Sequence, residues 1–234
     1  MHASQAELKV GPVLLGSKTN QRASYLASLL SQAPYLNGQV VPKDELWILQ
    51  LEKLVVNSVI NPLTAVLRCK NGALFTDQEG PIAQLIDVLL LEASRVLQTL
   101  IQDQSADAIL QTNPSEAILS AEERSSLKRT ANREELLTRF SQPQLKTMLY
   151  NVGRKVGENT SSMLQDVRAG KPTEVHEFNG WLVEMAAYLN RDLDVAHHKT
   201  LVTLVEDGTV LDAKSLGERF PHLWGCEPLG TRQE

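Results

Sequence analysis

The sequence predicts a mainly α-helical protein preceded by a single βαβ-like unit. Long segments from residue 44 onward repeat apolar residues at helical spacing, whereas only residues 1–43 place short β-rich runs on either side of a helical stretch. That is a single βαβ-like unit, and one such unit cannot form a stable parallel sheet, which normally needs several strands covered on both faces. The helical part must therefore carry most of the core.

Taken in order, Val13–Leu15 reads as a strand, Asn20–Leu30 as a helix carrying Leu26, Leu29 and Leu30, and Val40–Val41 as a second strand. Asp44 is a good N-cap for a helix over about Glu45–Arg68. A break is expected at Pro62, which lacks the amide that would bond the Ser58 carbonyl and disfavours helical geometry at Asn61. Asn71-Gly72 supplies turn chemistry, and Pro81 opens a helix whose Ile82, Leu85, Ile86, Leu89, Ala93, Val96, Leu97, Leu100 and Ile101 keep one apolar face. Residues 104–142 are polar and charged, which suggests an insertion or a solvated helix. Helical spacing resumes through Leu145, Leu149, Val152 and Val156, and Thr173 reads as the cap of a strong helix through Leu189. A shorter helix follows near His197–Val205, and the density of glycine and proline from Asp207 onward suggests a loop-rich extension. The resulting division is 1–43, 44–206 and 207–234.

Composition narrows the function. A net charge of −5 with no basic run offers no footprint for nucleic acid. Cys69 and Cys226 form neither a CxxC pair nor a disulfide framework, which fits a reducing compartment. No stretch approaches the roughly 18 apolar residues of a membrane span, and the N-terminus lacks the pattern of a secretory signal. The cytoplasm is the expected compartment, with a mitochondrial presequence left open, and no membrane partner is expected.

Inside the apolar run KLVVNSVINPLTAVLRCKNG, Lys53, Asn57 and Asn61 stand four residues apart, and Gln50 extends the file by a turn. In a helix this places an amine and two carboxamides on one line, along an element that is apolar almost all round and therefore expected to be buried. Buried polar groups must be satisfied. Two readings follow: an interhelical polar network that fixes packing, or the wall of a pocket for a polar, anionic small molecule. A second segment, SSMLQDVRAGKPTEVHEFNGW, holds Ser162 with Gln165 in capping-box spacing and Thr173 with Glu174 as a cap and first-turn carboxylate. Glu174 is a candidate partner for the Lys53 ammonium.

Other motifs carry less. The run from Gly11 to Thr19 places Ser17 between the second glycine and the lysine, which breaks the register of a phosphate loop, and GxGxxG is absent. His197 and His198 are adjacent, have no ligands at metal spacing, and read as surface residues, so no metal site is expected. Cys69 reads as a small core residue rather than a nucleophile.

Together, the Lys53 and Ser162 segments resemble the two signature segments of the C-terminal domain of ketopantoate reductases (2-dehydropantoate 2-reductases), and the likeness covers roughly residues 10–205. The resemblance implies a C-terminal helical domain of the 6-phosphogluconate-dehydrogenase-like type, preceded by the remnant of a Rossmann domain. It implies NADPH as cofactor and hydride transfer to the C2 carbonyl of ketopantoate, giving pantoate for pantothenate and coenzyme A synthesis. Lys53 then matches the proton donor, Glu174 the carboxylate that orients substrate and lysine, Asn57 and Asn61 the substrate-holding asparagines, and Ser162 the serine near the substrate carboxylate. The partner is a small 2-keto acid, and a homodimer is one permitted assembly. The glycine-rich cofactor loop of the family is missing here. The alternatives are therefore a shortened non-enzymatic paralogue used as a helical interaction module, or a reductase of another branched 2-keto acid, and the isolated chain is expected to be inactive.

Overall fold

The computed structural model describes residues 8–11, 20–110, 133–189 and 191–220. They group into two units, one from Met1–Leu51 with Asp103–Arg133 and one from Glu52–Gln102 with Glu134–Glu234.

In the first unit, β1 (Leu8–Val10) pairs in parallel with β2 (Gly38–Val40), with Leu8 opposite Gly38 and Val10 opposite Val40. Helix α1 (Asn20–Gln32) lies between them in sequence and packs on β2. The approach is close: a Cβ at Gly38 would run into the Leu30 carbonyl oxygen, so the position requires glycine. The observed strand precedes the expected one at Val13–Leu15, which lies outside the described residues, and the second strand ends at Val40. Tyr25, Leu26 and Leu29 of α1 remain exposed at 68%, 55% and 48%, because two short strands present little surface to cover them.

Helix α2 (Lys43–Leu67) starts one residue before Asp44, with the Pro42 carbonyl accepting from Leu46 N at 2.9 Å, so Asp44 sits in the first turn rather than capping it. The helix runs through Pro62 without the expected break. From Asn61 to Val66 every residue is buried, so packing holds the turn that proline weakens.

The second unit is helical. Its centre is α3 (Pro81–Gln102), whose apolar face from Ala83 to Ile101 is buried as the spacing predicts. A short helix, α4 (Asp107–Leu110), belongs to the first unit. After α5 (Arg133–Arg139), α6 (Gln142–Lys155) packs on α3 through the side carrying Leu145 and Leu149. Then come α7 (Ser162–Arg168), a π-helical turn (His176–Gly180), α8 (Trp181–Tyr188), α9 (Ala196–Glu206) and α10 (Ala213–Arg219), the last three packed on α3. No helix among the described residues is long and apolar enough to cross a membrane.

Three further expectations change. The polar segment 104–142 ends in core: Leu136 and Phe140 are fully buried, and Ser94 Oγ donates to the Phe140 carbonyl at 2.8 Å. Residues 111–132 of that segment lie outside the described residues. Thr173 provides no cap, since the helical path begins only at Val175 and enters through the π-turn. The stretch after Asp207 is not loop throughout, because Asp212 caps α10 by accepting from Ser215 N at 2.7 Å and Phe220 is buried beyond it. The remainder of that tail, 221–234, lies outside the described residues.

Candidate functional site

The polar file on α2 is graded rather than buried. Gln50 and Lys53 are exposed, Asn57 is half-buried and Asn61 is buried, 6% exposed. Keeping the ammonium in solvent avoids the several kcal/mol, to order of magnitude, that burying an unpaired charge costs. Among the described residues, none of the side chains of Lys53, Asn57 and Asn61 has a hydrogen-bond partner.

The interior network falls instead on other α2 residues, and it draws both partner segments onto the helix beside Asn61. Ser161 caps α7 by accepting from Leu164 N at 3.1 Å, so Ser161 and not Ser162 is the capping residue, while Gln165 Nε2 turns to the Thr160 carbonyl. Ser161 Oγ lies 2.7 Å from Thr64 Oγ1, which donates to the Ile60 carbonyl at 2.8 Å. The Asn61 carbonyl is also in reach of the Thr64 hydroxyl at 3.0 Å, so with the Thr64 proton turned to these carbonyls Ser161 accepts from Leu164 N–H and donates its O–H to Thr64. Ser162, next in sequence, is the exposed first residue of α7.

On the other side of Asn61, Asn179 donates from Nδ2 to the Ser58 carbonyl at 2.8 Å. This is the acceptor that Pro62 leaves without an amide. The second Nδ2 proton points at His198 Nδ1, 2.9 Å away, and His198 Nε2 donates to the Leu89 carbonyl at 3.1 Å. The imidazole is thus the neutral Nε2–H tautomer. Complete burial pushes its pKa down to about 4, with the nearby His197 adding to the effect. Flipping the Asn179 amide would set oxygen against oxygen at Ser58, so the orientation is determined. Asn179 Oδ1 is buried without a partner among the described residues.

His198 is therefore interior, and its neighbour is largely so, contrary to the surface reading. Glu92, 3% exposed, accepts from His197 N and His198 N, both at 3.2 Å, and from His197 Nδ1 at 2.6 Å, capping α9 with a carboxylate. Burial raises the Glu92 pKa, and the bonds from His197 and His198 partly oppose the rise. The His197 ring also stacks on Phe220, with centroids 5.6 Å apart. A signal was available: Glu92 occupies an apolar position of α3, three residues after Leu89 and four before Val96.

Glu174 is exposed, and neither it nor Lys53 forms an ion pair among the described residues, so their anticipated pairing is not seen. The π-turn after Glu174 is nevertheless fastened to α2 by Asn179, and the start of α7 by Ser161. Asn71 and Gly72 are structural, donating to the Asn159 carbonyl at 3.1 Å and the Gly157 carbonyl at 2.9 Å. Burial raises the thiol pKa of Cys69, which suits a packing residue. An open groove lined by Glu52, Arg139, Asn151, Val152 and Lys155 contains none of the five candidate residues.

The described residues do not themselves build a nicotinamide site. Among the described residues the first unit holds two strands, and residues 12–19, which join the first of them to α1, lie outside the described residues.

A family profile described as ketopantoate reductase PanE/ApbA C terminal matches residues 46–208. A ketoisovalerate reductase of Beauveria bassiana is 40% identical over 234 residues, covering 94% of this chain and 50% of that protein. A probable 2-dehydropantoate 2-reductase of Schizosaccharomyces pombe is 26% identical over 218 residues, covering 88% of this chain and 52% of that protein. Among solved structures, the ternary structure of D-mandelate dehydrogenase with NADH and anilino(oxo)acetate matches with a TM-score of 0.53 at 18% identity, covering 90% of this chain and 53% of the other, a likeness of fold alone. The chain spans about half the length of these relatives.

Proposed function

The chain belongs to the ketopantoate reductase family, and on that premise we propose that it is the substrate-binding and proton-donating part of an NADPH-dependent reductase of a branched 2-keto acid. The observation that carries this is the division of labour on α2. Ser58 and Thr64 complete the interior network, whereas Lys53, Asn57 and Asn61 keep their polar groups free among the described residues. A packing network would have used them.

In this reading the Lys53 ammonium donates a proton to the C2 carbonyl oxygen, stabilising the alkoxide as it develops and then neutralising it. Asn57 and Asn61 hold the keto acid's oxygens, Ser162 donates to its carboxylate, and Glu174 orients substrate and lysine. NADPH would supply the hydride, and the part assigned to the described residues is holding the acid and delivering the proton. The ketoisovalerate reductase name of the B. bassiana relative favours 2-ketoisovalerate over ketopantoate. The two acids share the 2-keto carboxylate and differ by a hydroxymethyl group at C3.

The test is NADPH oxidation by the full-length protein with each acid in parallel. Turnover is expected with 2-ketoisovalerate, and Lys53→Ala should lower kcat by a factor on the order of 10². Unchanged turnover in that variant removes Lys53 from the chemistry. Calorimetry that finds binding of neither acid nor NADPH would favour a non-enzymatic helical module.

A further inference from the structure

We propose that Asn179 is a positioning residue for the keto-acid site: its amide replaces the N–H missing at Pro62 and ties the segment that follows Glu174 to α2 between Asn57 and Asn61. The inference rests on the reading of that file as the substrate wall.

The physical need is specific. Ser58 is fully buried, and its carbonyl faces a position where proline offers no donor. A buried carbonyl left unpaired is costly, and the helix could relieve it only by opening the turn that holds Asn57 and Asn61. Asn179 supplies the donor at 2.8 Å, and His198, itself anchored to the Leu89 carbonyl on α3, accepts the other amide proton at 2.9 Å and so fixes the amide's orientation. The side chain reaches Ser58 from a π-helical turn, a geometry that re-aims one residue of a helix and is frequent at functional sites. That turn begins two residues after Glu174, whose carbonyl accepts from Phe178 N at 3.3 Å. One amide thus sets both the α2 turn that carries the asparagines and the segment that carries the carboxylate.

The test is carried out on the full-length protein and relies on rescue. Asn179→Ala should raise KM for the keto acid roughly tenfold, with a smaller change in kcat, because the groups displaced are those that hold the substrate. Pro62→Ala in that background restores an amide four residues after Ser58 and should return KM to within about twofold of wild type, since the helix then completes its own ladder. A role in packing alone predicts no such rescue. If Asn179→Ala does not fold, Pro62→Ala/Asn179→Ala decides: a folded enzyme with near-wild-type KM supports the proposal, and an unfolded protein or a raised KM overturns it. A wild-type KM in Asn179→Ala overturns it too, provided Lys53→Ala is impaired. If Lys53→Ala is also unimpaired, it is the assignment of the site itself that has failed.

Discussion

Acid should weaken this fold through one imidazole. His198 is fully buried as the neutral tautomer, with a pKa of about 4 against an ordinary 6.5. Because the folded value is the lower one, the unfolded chain binds more protons between these limits, and stability falls as pH drops through 6.5 and levels off below 4. For a single group with this shift, linkage gives a loss of ~1.8 kcal/mol between about pH 7 and about pH 5. Two other groups act in the opposite sense. Glu92 has a raised pKa, so its burial is relieved as pH falls through the folded value. His176, exposed and raised by its bond to Glu206, contributes stability that is present in acid and lost as pH rises. Both are retained in His198→Gln, which keeps a donor and an acceptor at the site but cannot titrate. Urea denaturation followed by circular dichroism at both pH values, for wild type and variant, isolates the imidazole. Wild type should lose ~1–2 kcal/mol more than His198→Gln over this interval. Equal losses, within about 0.5 kcal/mol, would refute the neutral buried imidazole and with it the proton order that orients Asn179.

Two further predictions concern the supports of the site. Ser161→Ala removes both the cap on Leu164 N and the link to Thr64, and should cost ~1–2 kcal/mol in the same denaturation assay; a double-mutant cycle with Thr64→Val that shows no coupling would refute the hydroxyl chain. Gly153→Ala sets a Cβ against the Phe75 ring, which packs edge-on against Tyr150 with centroids 5.1 Å apart, and should cost ~1–3 kcal/mol despite alanine's better helix propensity. In a Phe75→Leu background the same substitution should become neutral or stabilising, and a persistent cost would point to another clash.

Local pattern carried much of the reading. The period of α3, its start at Pro81, the Lys53–Asn57–Asn61 file and the deprived carbonyl of Ser58 are all properties of neighbouring residues on one helix, and spacing is sufficient to find them. Where the reading failed, burial depended on what lay opposite. Leu136 and Phe140 sit in a charged stretch with weak periodicity, yet both are fully buried where Ser94 and Gln98 of α3 donate to the Phe140 and Leu137 carbonyls. The paired histidines look solvated in sequence, yet a carboxylate on α3 caps their helix and draws one ring fully inside. Pro62 shows both sides of this. The sequence by itself determined that α2 is a helix with a missing donor and a polar file beside it. Only the tertiary structure decided that the helix stays whole, because the donor comes from a side chain 121 residues away, and no local pattern can specify so distant a partner.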